Sequence, residues 1–380
     1  ISSCFNPPGT PLPSPRRSHP DIVCSCGMVH ARKLTLAVVA ALVSQAASAM
    51  DVAATRKANA AYVAQLNKEN PTAVFELNEF ADVAPQEFAA RMLMPKRAPP
   101  STMAQKGRVT ASTSSGLDSF NWVSEGAVSS VKDQGTVGTC WAFSTAAAVE
   151  GQYYLQHQVL ANLSVEQLVE CDASDDPDGA GGYGCADCGM FGGWPYLAFD
   201  YIKESGGMYE WESWDYCVSP PRKSSLEQCW PCMADGYSRT DCGNHASLYC
   251  NASSTQGQGA EGLCKSAEGA VVQVNGWDAV STDEADIADY LVEHGPLSVL
   301  MNAQTLQFYK SGVYSPTYCD PSDLDHAVLL VGFGTDASLG DYWLVKNSWA
   351  ETWGEEGYFR IERGTGKCGI NKAVTAASVV

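Results

Sequence analysis

The 380-residue chain carries 43 acidic and 24 basic residues, a net charge of −19, and 45% of it is apolar. That apolar share excludes wholesale disorder and suffices for one large or two medium domains with a real core. The acidic balance argues against nucleic acid or an anionic membrane as the main partner, and fifteen cysteines suggest an oxidising compartment.

Residues 1–27 are rich in Pro and Ser and show no periodicity, and Met28 stands just ahead of a basic stretch. They read as upstream translated sequence, so Cys4, Cys24 and Cys26 are left out of the disulfide count. His30-Ala-Arg-Lys33, the apolar run Leu34–Val43 and Ala47-Ser-Ala49 then read as a secretory signal peptide over 28–49, cut near Ala49/Met50. About ten apolar residues cannot cross roughly 30 Å of hydrocarbon, so no membrane span is expected after its removal. The destination is the secretory pathway, with a lysosome, a vacuole or the extracellular space left open.

Residues 50–94 carry Ala60, Val63, Leu66, Val74 and Phe75 among polar residues and predict a helical segment. Residues 95–116 have linker composition and invite proteolytic nicking. From Leu117 the chain reads as one compact block. The spacing predicts a buried helix over Cys140–Leu155 with Cys140 in its first turn. Helices over Ser164–Cys171, capped by Ser164, and over Asp286–His294 follow. Strands are expected at Leu297–Met301, Ala327–Phe333, Tyr342–Lys346 and Tyr358–Glu362. Helices first and strands afterwards imply an α+β fold in two lobes with a cleft between them. Residues 217–263, rich in Cys, Gly, Ser and Pro, read as an insertion held by disulfides.

Three segments carry the chemistry. In Gln134-Gly-Thr-Val-Gly-Thr-Cys140-Trp-Ala-Phe, a thiol opens a helix, where the helix dipole and a nearby imidazolium favour the nucleophilic thiolate. Leu324-Asp-His326-Ala-Val puts a histidine at the head of an apolar strand. Tyr342-Trp-Leu-Val-Lys-Asn347-Ser-Trp349 supplies an amide and an indole. Each alone has a structural explanation: a bridged cysteine, a core histidine, an aromatic turn. Together they resemble the active-site segments of the papain-like cysteine proteases, the cathepsin L-like branch especially. The resemblance implies a papain-like fold of a helical lobe and a β-barrel-like lobe. It makes Cys140 the nucleophile, His326 the base and Asn347 the group that orients it, with Trp349 shielding that bond. Gln134 and the Cys140 N–H would hold the oxyanion. His326 and Asn347 follow Cys140 by 186 and 207 residues, and by 139 and 160 without the 47 residues of 217–263. Related enzymes show roughly 130–150. Ala350 replaces the family's usual Gly, a departure not expected to affect the chemistry.

Upstream, Asn59-x3-Val63-x3-Asn67 and Glu76-x-Asn78-x-Phe80-x-Asp82 resemble the pro-region motifs of the same zymogens. The resemblance therefore implies an inhibitory propeptide and linker over 50–115 and a catalytic domain over 116–380, with cleavage between about 95 and 120. Gly192, Gly193 and Trp194 match the loop that pairs with substrate backbone. Ala373 would floor the pocket for the residue two before the scissile bond, predicting a hydrophobic preference there. The family bridges map to Cys171–Cys264 and Cys319–Cys368, and a third is missing because Val137 and Met190 stand at its positions. Cys185, Cys188, Cys217, Cys229, Cys232, Cys242 and Cys250 remain. Two Cys-x-x-Cys spacings among them suit zinc, though disulfides are preferred in a secretory protein, and no metal or cofactor is assigned. Asn162 and Asn251 head glycosylation sequons, the first overlapping a helix cap. The implied activity is endopeptidase hydrolysis through a thioester, by a monomer acting on proteins or peptides and open to cystatin-type inhibitors. The rivals are a catalytically silent peptide binder, transfer to an amine instead of water, and exopeptidase action if the insertion fills one end of the cleft.

Overall fold

A computed structural model describes residues 52–172, 192–214 and 268–380, with positions 174, 187, 189 and 216. The expectations for 1–27, the signal peptide, the Cys-rich insertion, Met190, Asn251, Cys264 and the seven unassigned cysteines lie outside these residues.

The N-terminal part is broken where one helical segment was expected. Helix α1 runs over 52–69 and stops at Asn70-Pro71, since the proline restricts its predecessor and has no N–H to give. The chain then extends into β1 (Ala73–Phe75), which pairs antiparallel with β6 (Tyr309–Tyr314), Ala73 opposite Gly312. A Cβ on Gly312 would lie 2.5 Å from the Thr72 carbonyl oxygen, so this approach requires glycine. Asn67 grips Phe75 through both its N–H and its C=O, at 2.8 Å each. Asn59, 1% exposed, donates to the carbonyls of Ala81 and Val83 at 2.8 and 2.9 Å. Helix α2 (Pro85–Met92) buries Phe88 and Met92. The stretch of linker composition is largely exposed but carries short elements. It forms α3 (Ser101–Lys106) and β2 (Arg108–Val109), with Arg97 and Met103 buried. One buried methionine and a Lys106 ammonium 4.2 Å above the Trp277 ring suffice to dock a polar stretch.

Helix α4 (Cys140–His157) is buried at every position from Cys140 to Gly151. Small and apolar residues surround its axis, as a helix inside a domain requires. It ends at Gln158, in left-handed conformation with its N–H on the Tyr154 carbonyl. The expected helix α5 (Val165–Cys171) is capped by Ser164, whose Oγ accepts from Gln167 N–H at 3.1 Å. Helix α6 (Pro195–Ser205) was not expected, while α7 (Glu284–His294) starts two residues early under an Asp283 cap. The remaining strands are β3 (Phe120–Asn121), β4 (Val274–Val280), β5 (Leu297–Met301), β7 (His326–Asp336), β8 (Gly340–Lys346), β9 (Tyr358–Glu362) and β10 (Val374–Val379). Among the described residues they form one sheet in the order β1-β6-β9-β8-β7-β5-β10-β4-β2, with β3 on β7.

Strand β7 divides two hydrophobic clusters. Ala327, Leu329 and Val331 enter the cluster built on α4 and α6, whereas Val328, Leu330 and Phe333 enter the one that holds α7. A strand covered on both faces reads as an unbroken apolar run, as this one does. His326 stands at its head, on the boundary between the two halves. Cys319 is bonded to Cys368, and Cys171 is disulfide-bonded as well.

Replacing Asn59 by Ala leaves the buried Ala81 carbonyl without its donor, while the Val83 carbonyl keeps Gln307 Nε2 at 2.9 Å, at a cost of about 1–3 kcal/mol. The expected outcome is a lower Tm for the unprocessed chain and an unchanged Tm once residues up to about 115 are removed, measured by thermal unfolding.

Candidate active site

Cys140 is the first residue of α4 and is fully buried. Its Sγ accepts from the Ala327 N–H at 3.5 Å, which sets the thiol against the residue that follows His326. The His326 ring is also fully buried. Its Nε2 lies 2.8 Å from Asn347 Oδ1 and it stacks on Trp349, with centroids 4.7 Å apart. Asn347 Oδ1 also accepts from Ser348 N–H at 2.9 Å, which identifies that atom as the oxygen. The imidazole proton therefore sits on Nε2 and the lone pair on Nδ1. Nδ1 is buried and has no hydrogen-bond partner.

Gln134 is likewise buried. Ser348 Oγ donates to its Oε1 at 2.6 Å and Ser348 O accepts from its N–H at 2.8 Å, so its Nε2 must face the other way. Nε2 donates to the carbonyls of Val137 at 2.7 Å and Met92 at 3.0 Å. Ser348 was not singled out from sequence, although it sits inside the quoted Asn-Ser-Trp. A hydroxyl that acts only through a residue 214 positions away leaves no local signal.

The cleft is filled by the chain's own residues 92–97. Met92 offers its carbonyl to Gln134. Met94 N–H donates to Asp325 O at 2.7 Å, and Met94 Sδ accepts from Gly193 N–H at 3.3 Å. Arg97 and Leu324 exchange both backbone hydrogen bonds at 2.9 and 3.0 Å. Phe88 of α2 packs edge-on against Trp349, centroids 5.1 Å apart. This lid excludes water, and burial favours the neutral form of both Cys140 and His326. The Cys140 thiol is pushed up to about 12, against which the N–H groups of Ala327, Trp141 and Cys140 pull only weakly. The His326 imidazole is pushed down to about 4, the Asn347 bond opposing. The sequence suggests a thiolate favoured by a nearby imidazolium. The covered state holds a neutral pair, because desolvation penalises both charges.

The expected substrate loop lies alongside. Gly192 has φ +113°, and Met94 Cβ would be 3.0 Å from a Cβ placed there. Trp194 is buried at the start of α6, with the Arg97 guanidinium 5.5 Å from its ring. Ala373 is buried in the same cluster as Met94. Trp349 covers His326 and does not line that cluster. Val137 is buried where a bridge was missing. Asn162 Nδ2 lies 3.1 Å from Glu212 Oε1, and the hydroxyl of its sequon, on Ser164, is spent capping α5.

The model of the papain family of cysteine proteases matches residues 117–378. The chain belongs to that family. This papain-family cysteine protease is similar to cysteine proteinase 15A of Pisum sativum, 37% identical over 317 residues that span 81% of this chain and 75% of the relative. Digestive cysteine proteinase 2 of Homarus americanus is 35% identical over 322 residues, 82% of this chain and 83% of that one. Among solved structures it resembles digestive procathepsin L 3 of Tenebrio molitor larval midgut, with TM-score 0.64 and 31% identity over 87% of this chain and 92% of that chain. The match to a proform agrees with a zymogen whose own segment covers the cleft. Among the described residues no cluster of side chains is placed to hold a metal, and no helix is long and apolar enough to cross a membrane.

Two outcomes follow from this geometry. Ala350 has φ +66°, a left-handed conformation that costs a side chain about 1–2 kcal/mol. Ala350→Gly is expected to raise Tm in thermal unfolding. The second concerns pH. His326 is held at about 4 under the lid and returns toward about 6.5 when exposed. The covered form is therefore undisturbed above about 6.5 and loses ground as pH falls toward about 4, by at most about 3 kcal/mol. Protection of the Met94 and Arg97 amides against hydrogen exchange, in an unprocessed Cys140→Ala chain, is expected to fall across that window and not between pH 7 and 8.

Proposed function

We propose that this protein is an endopeptidase that cleaves peptide bonds through a thioester on Cys140. What carries the reading is one juxtaposition. Cys140 Sγ lies against the Ala327 N–H at the head of α4, and the neighbouring His326 has Nε2 bound to Asn347 with Nδ1 bare and basic. Once the lid leaves, Nδ1 takes the thiol proton and the helix dipole favours the resulting thiolate. The sulfur attacks the carbonyl carbon. Charge on the carbonyl oxygen is met by Gln134 Nε2, which now holds the Met92 carbonyl, and by the Cys140 N–H. His326 then protonates the departing amine, and a water attacks the thioester with His326 as base. Asn347 keeps the imidazole proton on Nε2 throughout, and Trp349 shields that bond from water.

The domain reading follows the same lines. Residues 50–115 are the inhibitory propeptide and 116–380 the catalytic domain. Residues 104–107 and most of 110–119 are exposed, which supports maturation between about 95 and 120. Met94, seated on Gly192 and Gly193 in the cluster that holds Ala373, supports a pocket for a bulky apolar residue two before the scissile bond. The secretory route, lysosomal, vacuolar or extracellular residence, glycosylation at Asn251 before Asn162, cystatin sensitivity and a monomeric state complete the proposal.

Activity of the processed enzyme on fluorogenic peptides tests it. Cys140→Ala is expected to abolish turnover, and Gln134→Ala to lower kcat/KM by about 10²-fold or more. Peptides with Phe or Leu at the second position are expected to outperform Arg. Turnover by the Cys140→Ala enzyme, or equal use of Arg, overturns the corresponding part.

A further inference from the structure

Beside the cleft lies a pair of buried carboxyls that the reaction does not use. Asp172 closes α5 and Asp187 precedes the substrate loop, and both are fully buried. Asp187 Oδ1 accepts from the Trp194 N–H at 2.5 Å. Asp172 Oδ1 accepts from Ser174 N–H at 3.1 Å and Ser174 Oγ at 2.6 Å. The two carboxyls act on each other side chain to side chain, and Asp187 Oδ2 is buried without an N–H or O–H donor, so the bond open to it is one with Asp172. A carboxylate only accepts, so such a bond needs a proton on one partner.

Burial and mutual repulsion keep that proton in place. Both groups are raised above the ordinary carboxyl range, Asp187 the more strongly. Among the described residues, the ionisable groups facing them include Asp200 and the Tyr201 phenol of α6, which lie near Asp172, and the Arg97 guanidinium of the pro-segment, which opposes the rise at Asp187. Arg97 leaves with the pro-segment, and its opposition to the rise at Asp187 leaves with it.

The geometric consequence falls on Gly193. A Cβ there would lie 2.5 Å from Trp141 Cδ2 and 2.7 Å from Asp187 Oδ1. Gly193 is thus wedged between the ring that follows Cys140 and the Asp187 carboxyl. The Trp141 indole N–H in turn donates to Gly189 O at 2.9 Å. Held on both sides, Gly193 points its N–H into the cleft, where Met94 Sδ now takes it.

We propose that Asp187 is a positioning residue: by sharing one proton with Asp172 and holding the Trp194 N–H, it sets where Gly193 meets the backbone of a bound peptide. This rests on the reading of the cleft given above, and it concerns how tightly a peptide is held rather than the chemical step. Asparagine reproduces both bonds without a titrating proton, its Oδ1 accepting from Trp194 and its Nδ2 donating to Asp172. Alanine reproduces neither.

The test uses the full chain, processed and counted with an epoxide warhead. It compares peptide KM and kcat with the rate of Cys140 alkylation by iodoacetamide, a reagent that needs no substrate strand. Asp187→Ala is expected to raise KM about tenfold, the loss of one to two hydrogen bonds, while alkylation stays within about twofold of wild type. Asp187→Asn is expected to keep the wild-type KM at acid pH and to lack the rise in KM that the wild-type enzyme shows on the alkaline side, where the shared proton is lost. If the alanine variant does not fold, Asp172→Asn serves. It keeps the pair bonded through an amide donor, so the same KM without the alkaline rise is expected. An asparagine variant at 187 with KM raised as in the alanine variant overturns the proposal, as does a wild-type KM in Asp187→Ala or an alkylation rate that falls with KM. A wild-type enzyme that the epoxide does not label is instead a failure of the assigned nucleophile.

Discussion

The hydrogen bond from His326 Nε2 to Asn347 Oδ1, 2.8 Å long, is the contact on which the rest of the site depends. It fixes the imidazole tautomer and so decides which nitrogen keeps a free lone pair. The sheet supplies it. Leu329 pairs with Lys346 in the β7–β8 register, and that register, continued to the strand end, brings Asn347 and Trp349 around His326. The other wall is α4, which packs on β7 through small residues and so brings its N-terminus close to the head of the strand. Ser144 Oγ, one turn into the helix, donates to the Val328 carbonyl at 2.8 Å.

The same closeness makes the site easy to silence. A thiol and an imidazole form an ion pair only where solvent or fixed dipoles pay for two charges. The pro-segment removes the solvent. It does so with a strand on β6, an aromatic wedge of Phe80 and Phe88 on Trp349, and a backbone carbonyl on Gln134. Inhibition here combines steric blockade with a change in protonation, and each arises from the same buried surface.

Legibility in the sequence followed locality. Helix α4 was visible because small and apolar residues run without interruption from Cys140 to Ala148. Ser164 was readable as a cap because capping acts over three residues. Strands β4, β6 and β10 were missed: β6 carries Lys310, Ser311 and Gly312, and β10 is Val-Thr-Ala-Ala-Ser-Val, with small residues that become buried only because other elements cover them. The pro-segment was readable as motifs, Asn59, Asn67 and Asn78 among them, but not as geometry. The work of each asparagine is a hydrogen bond to a carbonyl eight or more residues away.

The sequence by itself determined the family and singled out the candidate groups, since Cys140, His326, Asn347 and Gln134 sit in short segments whose residue types resemble that family's. Only the tertiary structure decided which His326 nitrogen is bare, that Met92–Arg97 fill the cleft, and that the Asp187 carboxyl lies against Gly193. The reason is distance along the chain. Protonation, occlusion and the sharing of a proton between two carboxyls depend on what surrounds a group in space, and those neighbours come from segments tens to hundreds of residues apart.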